Sequence, residues 1–230
     1  MSSSAAVTDP GPDKAGSQAS VVRGIRQAIM AGDFVPGQRL VEAELTESFG
    51  ASRSTVRAAL SDLTHEGLLE RIVNRGARVR VVSVAEALQI TEVRTAVEGL
   101  CAAKAAEHVT DGEAAELRGI GTAMQAAVGQ GDVVGYSQLN QRLHDLVIAI
   151  SDQQVAAEVL SRLRARNVRH QFRLAFRSGR PQVSLPEHLA IIDAVAGRDP
   201  QAAEAAMRAH LRSVINALAS TSQIQALPPA

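Results

Sequence analysis

Three histidines and one asparagine lie on apolar helical stretches in the second half of the sequence. Asn140 and His144 are four residues apart, so they project from one side of one predicted helix, while His188 and His210 each fall within the apolar face of another. Buried imidazoles need polar partners, and a divalent metal would satisfy all three, with the imidazole nitrogens and the Asn140 oxygen as ligands. Each histidine alone is more often a hydrogen-bonded core residue than a metal ligand, so the sequence leaves both interpretations open.

A second group of residues, at the start of another predicted helix, has the chemistry of DNA recognition. Arg53 and Arg57 are four residues apart, one turn apart on one helix face, and an arginine fork can donate twice to guanine O6 and N7. The small hydroxyls of Ser52, Ser54 and Thr55 can reach phosphates, helped by the free backbone N–H groups at the helix start. This spacing favours a helix that lies in the major groove.

The arginines are positioned by a predicted helix-turn-helix that leads into a β-hairpin. Helices are predicted over residues 18–31 and 42–49, with a Pro-Gly turn between them and Gly50 as the stop. Ser52 is a suitable N-cap for the third helix, and a two-stranded hairpin over 68–82 follows it. The buried stripe of the third helix is predicted to consist of Val56, Ala59, Leu60 and Leu63.

The hairpin tip, Asn74-Arg75-Gly76, completes a winged helix-turn-helix, a shape that places one helix in the major groove. Arg75 can contact the flanking backbone or the minor groove, and Gly76 lets the tip approach DNA without a side chain in the way. The alternative is an ordinary helical hairpin with surface arginines, which the pattern alone does not exclude.

The overall charge argues against a nucleic-acid-binding protein, but the distribution of charge favours one. The chain has 24 basic and 24 acidic residues and no net charge, whereas DNA-binding domains are often strongly basic. Between residues 51 and 82, however, six arginines and three acidic residues give a local charge of +3. This excess predicts moderate non-specific affinity for DNA.

Hydropathy and cysteine content limit where the protein is expected to act. No apolar run reaches the ~18 residues that a membrane span needs, so no membrane partner is predicted. The single cysteine, Cys101, excludes an internal disulfide framework and is typical of a reducing cytoplasm.

From residue 84 onward, the apolar period is that of an α-helix. Caps and loop residues divide this region into six helices, which predict an antiparallel helical domain over 84–220 beside a DNA-binding domain over 17–82. Residues 1–16 and 221–230 are predicted to be a disordered arm and a flexible tail. The predicted fold class is therefore mainly α, an N-terminal winged helix-turn-helix plus a C-terminal antiparallel all-helical bundle. The six predicted helices are 84–108, 111–128, 133–150, 153–177, 185–196 and 200–219.

Residues 18–82 closely resemble the N-terminal domain of GntR-family bacterial transcription regulators. The resemblance is most specific over residues 49–69. It implies that the operator is contacted by Arg53, Thr55, Arg57 and the wing glycine Gly76. The motifs that carry it are Pro36-Gly37-x-x-Leu40, Ser52-Arg53-Ser54-Thr55-Val56-Arg57, Glu66-Gly67-Leu68-Leu69 and Arg75-Gly76-Ala77-x-Val79.

Residues 84–220 resemble the FCD-type ligand-binding domain of the FadR branch of that family, and six helices indicate the VanR-like subgroup. The resemblance implies a divalent metal, zinc first and nickel or manganese as alternatives. Its ligands would be an acidic or amide residue and three histidines, at the positions of Asn140, His144, His188 and His210. The usual first ligand is aspartate, so Asn140 removes a negative charge. The motifs are Arg94-x-x-x-Glu98, Asn140-x-x-x-His144, Glu187-His188-x-x-Ile191 and His210-Leu211.

The resemblance also implies an effector, because domains of this type typically bind small carboxylates, sometimes on the metal. Arg94 is the candidate effector-binding residue, since a guanidinium can pair with a carboxylate within the bundle. Its alternative role is a salt bridge to Glu98 one turn later on the same helix.

Together these features predict a cytoplasmic, sequence-specific transcription regulator, a repressor, that binds a double-stranded DNA operator. It is expected to act as a homodimer, because symmetric operators need paired half-sites, and a small carboxylate in the metal-containing domain is expected to control it. The alternative from another class is a metal-dependent hydrolase with an appended helix-turn-helix. A third interpretation keeps the histidines as core polar residues and the helical domain as a dimerisation module.

Overall fold

The computed structural model describes residues 16–72, 76–175, 177 and 179–225. The chain forms two compact units, which divide between Val81 and Val82. The first combines helices with a small sheet, and the described part of the second is helical. The prediction of a mainly α protein with a winged helix-turn-helix and a helical bundle is confirmed.

In its described residues, 16–72 and 76–81, the first unit has three helices and a three-stranded antiparallel sheet of strand order β1-β3-β2. Its core is formed by apolar side chains that the helices and the sheet bury together, including Val21, Ile25, Val56, Leu63 and Leu69. The elements are α1 (Gln18–Ala31), β1 (Arg39–Leu40), α2 (Glu42–Phe49), α3 (Arg53–His65), β2 (Leu69–Ile72) and β3 (Gly76–Val79).

Local signals set the helix boundaries of this unit. Gly50 ends α2 with a φ of 57°, in the left-handed region that glycine adopts readily. Ser52 then caps α3, because its hydroxyl accepts a hydrogen bond from the backbone N–H of Thr55 at 3.1 Å. In the turn before α2, Gly37 has a φ of 78° and follows Pro36, as a type II turn requires. Helices α1 and α2 have the predicted bounds.

The strand β1 was not predicted from the sequence, which gave a two-stranded hairpin and only a Pro-Gly turn between the first two helices. Leu40 lies opposite Ala77 of β3, so β1 widens the hairpin into a sheet. A two-residue strand shows no period, and its partner is far away in the chain, so local pattern could not reveal it. The predicted hairpin tip at Asn74 and Arg75 lies outside the described residues, and Gly76 begins β3.

The described part of the second unit contains six helices, as predicted. Helix α4 packs along α9, and α5 packs against α6 and α8. Fully buried side chains such as Leu117, Met124, Leu143, Ile191 and Leu211 fill the space between them. No helix in the described ranges is long and apolar enough to cross a membrane. The helices are α4 (Val84–His108), α5 (Asp111–Gln130), α6 (Val133–Ile150), α7 (Gln154–Ala175), α8 (Arg180–Ala196) and α9 (Pro200–Gln225).

Helices α8 and α9 extend further than predicted. The sequence analysis assigned Arg180 and Pro181 to a loop and began the helix at residue 185, but α8 begins at Arg180. Pro181 lies in its first turn, where the missing N–H has no helical partner to lose, and Pro186 is accommodated inside the helix. Helix α9 continues to Gln225, beyond its predicted end at residue 219.

Candidate metal centre and DNA interface

The three histidines singled out by the sequence converge in the second unit. His144 lies on α6, His188 on α8 and His210 on α9, and all three are buried. Their possible ligand atoms lie within 4.8 Å of one another. The ring centroids are 5.8 Å apart for His144 and His188, 5.3 Å for His144 and His210, and 4.4 Å for His188 and His210. The packing of three helices therefore places three imidazoles in one cluster.

Two of the imidazoles are oriented by carboxylates. Nδ1 of His144 lies 2.7 Å from Oε2 of Glu98, and Nδ1 of His210 lies 2.8 Å from Oε2 of Glu187. Ionised carboxylates only accept hydrogen bonds, so each ring donates from Nδ1, and Nε2 is the nitrogen left to bind a metal. Metal-binding histidines typically have such partners.

The third imidazole is oriented by a chain of hydroxyls. Nδ1 of His188 lies 2.9 Å from the hydroxyl of Tyr136, which lies 2.8 Å from Oγ of Ser184. The Ser184 hydroxyl in turn donates to the carbonyl of Arg180 at 3.0 Å. Because that carbonyl can only accept, the hydrogens run from His188 through Tyr136 to Ser184. Nε2 of His188 is thus an acceptor, and it is buried without a hydrogen-bond partner.

Asn140 lies one turn before His144 on α6, as predicted. Its Oδ1 atom is also buried without a hydrogen-bond partner. Buried acceptors without donors are costly. One imidazole nitrogen, Nε2 of His188, and the amide oxygen of Asn140 therefore lack a hydrogen-bond donor, and both are atom types that zinc and related metals bind.

The protonation states suit metal binding. Burial lowers the pKa of His144 to about 4, although the neighbouring Glu98 favours its charged form. Burial, together with the other two imidazoles, holds the pKa of His188 well below its usual value. Both rings are therefore neutral at pH 7, the form that binds a metal.

A charged network lies beside the site and involves Arg94. Its Nε donates to Oε1 of Glu98 at 2.7 Å, and Nη2 of Arg164 donates to Oε2 of Glu98 at 3.1 Å. Arg164 also donates to Asp145 at 2.6 Å. Burial alone would raise the pKa of Glu98, but Arg94, Arg164 and His144 together hold it well below its ordinary value. The salt bridge to Glu98, which the sequence left open as the alternative role of Arg94, is thus present.

Tyr136 and the orienting role of Glu98 were not predicted from the sequence. A usable signal existed for the tyrosine, because Tyr136, Asn140 and His144 recur every four residues and so share one face of α6. Glu187, which precedes His188 on α8, accepts hydrogen bonds from His210 and, at 3.4 Å, from Arg180.

In the first unit, the predicted DNA-reading residues form the exposed amino-terminal turn of α3. Arg53, Ser54 and Arg57 are exposed, and Thr55 is partly exposed. Oγ of Ser52 lies 2.8 Å from the hydroxyls of both Ser54 and Thr55. The predicted apolar stripe of α3, consisting of Val56, Ala59, Leu60 and Leu63, is buried.

Arg57 has a partner that the sequence did not reveal. Its Nη2 donates to Oε2 of Glu42 at 2.9 Å, and its Nε lies 3.2 and 3.3 Å from the two carboxylate oxygens. The hydrogen bond from Arg57 lowers the pKa of Glu42. In the wing, Gly76 has a φ of 89°, a conformation that glycine adopts without strain. Arg75 lies outside the described residues.

Family models match both units of this chain. Residues 17–79 match the model described as bacterial regulatory proteins, gntR family, and residues 89–213 match the FCD domain. The chain therefore belongs to the GntR family of bacterial regulatory proteins and carries an FCD domain. It is a DNA-binding transcription regulator and not an enzyme, which contradicts the hydrolase alternative.

Individual relatives agree with this assignment. The chain is 28% identical over 194 residues to the HTH-type transcriptional repressor RspR of Escherichia coli K12, covering 84% of this chain and 85% of that protein. It is 30% identical over 199 residues to a "Probable D-xylose utilization operon transcriptional repressor" of Paenarthrobacter nicotinovorans, covering 84% and 85%. The fold is similar to that of E. coli McbR/YncC, with a TM-score of 0.77, 21% identity, and coverage of 89% and 98%.

Proposed function

We propose that this regulator is a metal-dependent, effector-controlled repressor that binds its operator as a homodimer in the cytoplasm. One observation carries the metal part of the proposal. Three imidazoles converge, and the buried acceptors His188 Nε2 and Asn140 Oδ1 have no hydrogen-bond partner. A divalent cation held by Asn140, His144, His188 and His210 would supply that partner.

Zinc is the proposed metal, because three nitrogens and one oxygen suit it; nickel and manganese are the alternatives. None of the four proposed ligands carries a negative charge, so none of them balances the charge of the ion. A small carboxylate effector would balance that charge by binding at the metal. Nε of Arg94 donates a hydrogen bond to Glu98, so the Nη atoms are the donors that we propose for the effector.

The DNA-binding part of the proposal rests on α3 and the wing. Arg53 and Arg57 would read base edges, and Ser52, Ser54 and Thr55 would contact phosphates. Arg75 and Gly76 of the wing would contact the flanking DNA. The relatives RspR and the D-xylose operon regulator are named as repressors, which supports repression as the mode of action.

Exposed apolar side chains support the homodimer. On α4, Val93 and Leu100 are 49% and 44% exposed, and on α7, Val155 and Val159 are 78% and 40% exposed. Helices α4 and α7 pack together, and each pair recurs at helical spacing. We propose that a second copy of the chain covers these side chains. Effector binding would then shift the equilibrium between dimer arrangements that differ in operator affinity.

Elemental analysis of protein purified without chelators tests the metal site. We expect about one divalent ion per chain, lost in His188→Ala and kept in the control His108→Ala, since His108 is exposed at the end of α4. Absence of metal, with thermal stability unaffected by EDTA, would favour histidines that serve only as core polar residues.

Selection of genomic fragments by the purified protein tests DNA binding. We expect retained fragments to share a palindrome whose half-sites lie about one helical turn, or a multiple of it, apart. Footprints without paired half-sites would contradict the proposed homodimer.

A further inference from the structure

The pair formed by Arg57 and Glu42 joins the first turn of α2 to the exposed face of α3. The Arg57 side chain is 68% exposed and the Glu42 side chain 28% exposed. An ion pair so open to solvent contributes little to stability. Its location, on the helix proposed to read DNA, suggests that it acts in recognition.

The contacts determine which donors of Arg57 remain available. Nε and Nη2 of Arg57, which form the side edge of the guanidinium, donate to the carboxylate of Glu42. The guanidinium is planar and has five N–H groups in a fixed arrangement. Two N–H groups on its outer end, one from each Nη, are left to form a second fork. That fork matches the O6 and N7 acceptors of guanine.

The charge of Glu42 restricts Arg57 further. A free arginine on the DNA-facing surface can turn toward any phosphate, which adds affinity without sequence information. The carboxylate holds Arg57 in one geometry before DNA binds, so less side-chain entropy is lost on binding. It also repels phosphates near that position.

We propose that Glu42 is a specificity-determining residue that positions Arg57 for end-on recognition of a base. This inference rests on the proposed DNA-reading role of α3. Glu42 acts through Arg57, so the predicted consequence of its loss is reduced discrimination between DNA sequences and not loss of folding.

The test compares Glu42→Gln with Glu44→Gln in the full-length protein. Both residues lie in the first turn of α2, so both variants remove one negative charge from the same place. Binding is measured with the duplex that the wild-type protein selects from a random library and with a scrambled duplex of the same composition. Circular dichroism and thermal melting confirm that each variant is folded.

The expected readout is the ratio of the dissociation constants for the scrambled and the selected duplex. Glu42→Gln should lower this ratio about tenfold, whereas Glu44→Gln should change both constants alike and leave the ratio within about twofold. In an Arg57→Ala background, Glu42→Gln should have no further effect on the ratio. If Glu42 had a merely structural role, Glu42→Gln would still change the ratio in that background.

Two failures have different meanings. If the wild-type protein selects no duplex, the proposed DNA-reading role of α3 is refuted, and this inference is refuted with it. If the wild-type protein discriminates but Glu42→Gln and Glu44→Gln behave alike, only the role of Glu42 is overturned. An equal effect of Glu42→Gln with and without Arg57 would also overturn it. If Glu42→Gln does not fold, Glu42→Ala takes its place in the same comparison, with and without Arg57→Ala.

Discussion

At the scale of single residues, Tyr136 connects the candidate metal site on α6, α8 and α9 to Ser184. Burial raises the pKa of Tyr136 to about 12, so its hydroxyl is protonated at neutral pH and can relay a hydrogen bond from His188 to Ser184. This relay selects the tautomer in which Nε2 of His188 is free to bind a cation.

Tyr136→Phe should weaken metal binding about tenfold, because Nδ1 of His188 loses its partner and the tautomer is no longer selected. Competition with a chromophoric chelator measures the affinity. The metal-free variant should melt as a folded protein, which separates the effect from unfolding. Unchanged affinity in a folded variant would show that the hydroxyl does not orient His188.

A substitution at Asn140 tests how a negative charge at this position affects metal binding. Asn140→Asp should bind the divalent metal at least about tenfold more tightly, since a full negative charge then contacts the ion in a low-dielectric site. The same charge should weaken binding of an anion such as acetate to the metal. Titration of both variants with zinc and with acetate measures the two effects, and weaker zinc binding by the aspartate variant would exclude residue 140 as a ligand.

At the scale of elements, α3 is held by buried residues on one side and exposes its arginines on the other. The helix packs into the core of the first unit through its buried residues Val56, Ala59, Leu60 and Leu63. The hydroxyls and arginines of the first turn can therefore change without loss of the core. This separation makes DNA recognition testable apart from folding.

Arg57→Ala should cost about 1–3 kcal/mol of binding free energy at the operator. The reason is the loss of a bidentate contact to a base, since the side chain contributes no core packing. Gel-shift titration on the selected duplex measures it, with Arg26→Ala as the control because Arg26 pairs with Glu66 elsewhere in the unit. Full operator affinity without Arg57 would refute the assignment of α3 as the recognition helix.

At the scale of the whole molecule, the proposed metal joins three helices of the second unit. Asn140 and His144 belong to α6, His188 to α8 and His210 to α9. A ligand that binds only the folded state stabilises it by mass action. Metal occupancy should therefore contribute to the stability of this unit as well as to effector binding.

Removal of the metal should lower the melting temperature. Stabilisation by a bound ion amounts to about 4 kcal/mol when its free concentration is about 1,000 times Kd, which corresponds to a shift of roughly 8–16 °C for a chain of this size. Differential scanning calorimetry with and without EDTA measures the shift. His188→Ala should show no dependence on EDTA, and an equal dependence in that variant would place the stabilising ion elsewhere.

Most helix boundaries could be predicted from local sequence, and the three histidines that converge were among the residues that it singled out. The N-cap Ser52, the stop at Gly50 and the apolar period of each helix act over only a few residues, so they can be read directly. Spacing also placed Asn140 and His144 on one face. Local signals failed at Pro181, where a proline that suggested a loop lies in the first turn of a helix.

The meeting of His144, His188 and His210 depends on how three helices pack, and no local pattern encodes those distances. The same holds for the pairing of β1 with β3, for Glu98 as the partner of His144, and for Glu42 as the partner of Arg57. Each joins residues well separated in the chain, whose approach is set by burial of the whole core. The chain's local chemistry therefore determined which groups are available, and packing between distant elements decided which of them meet.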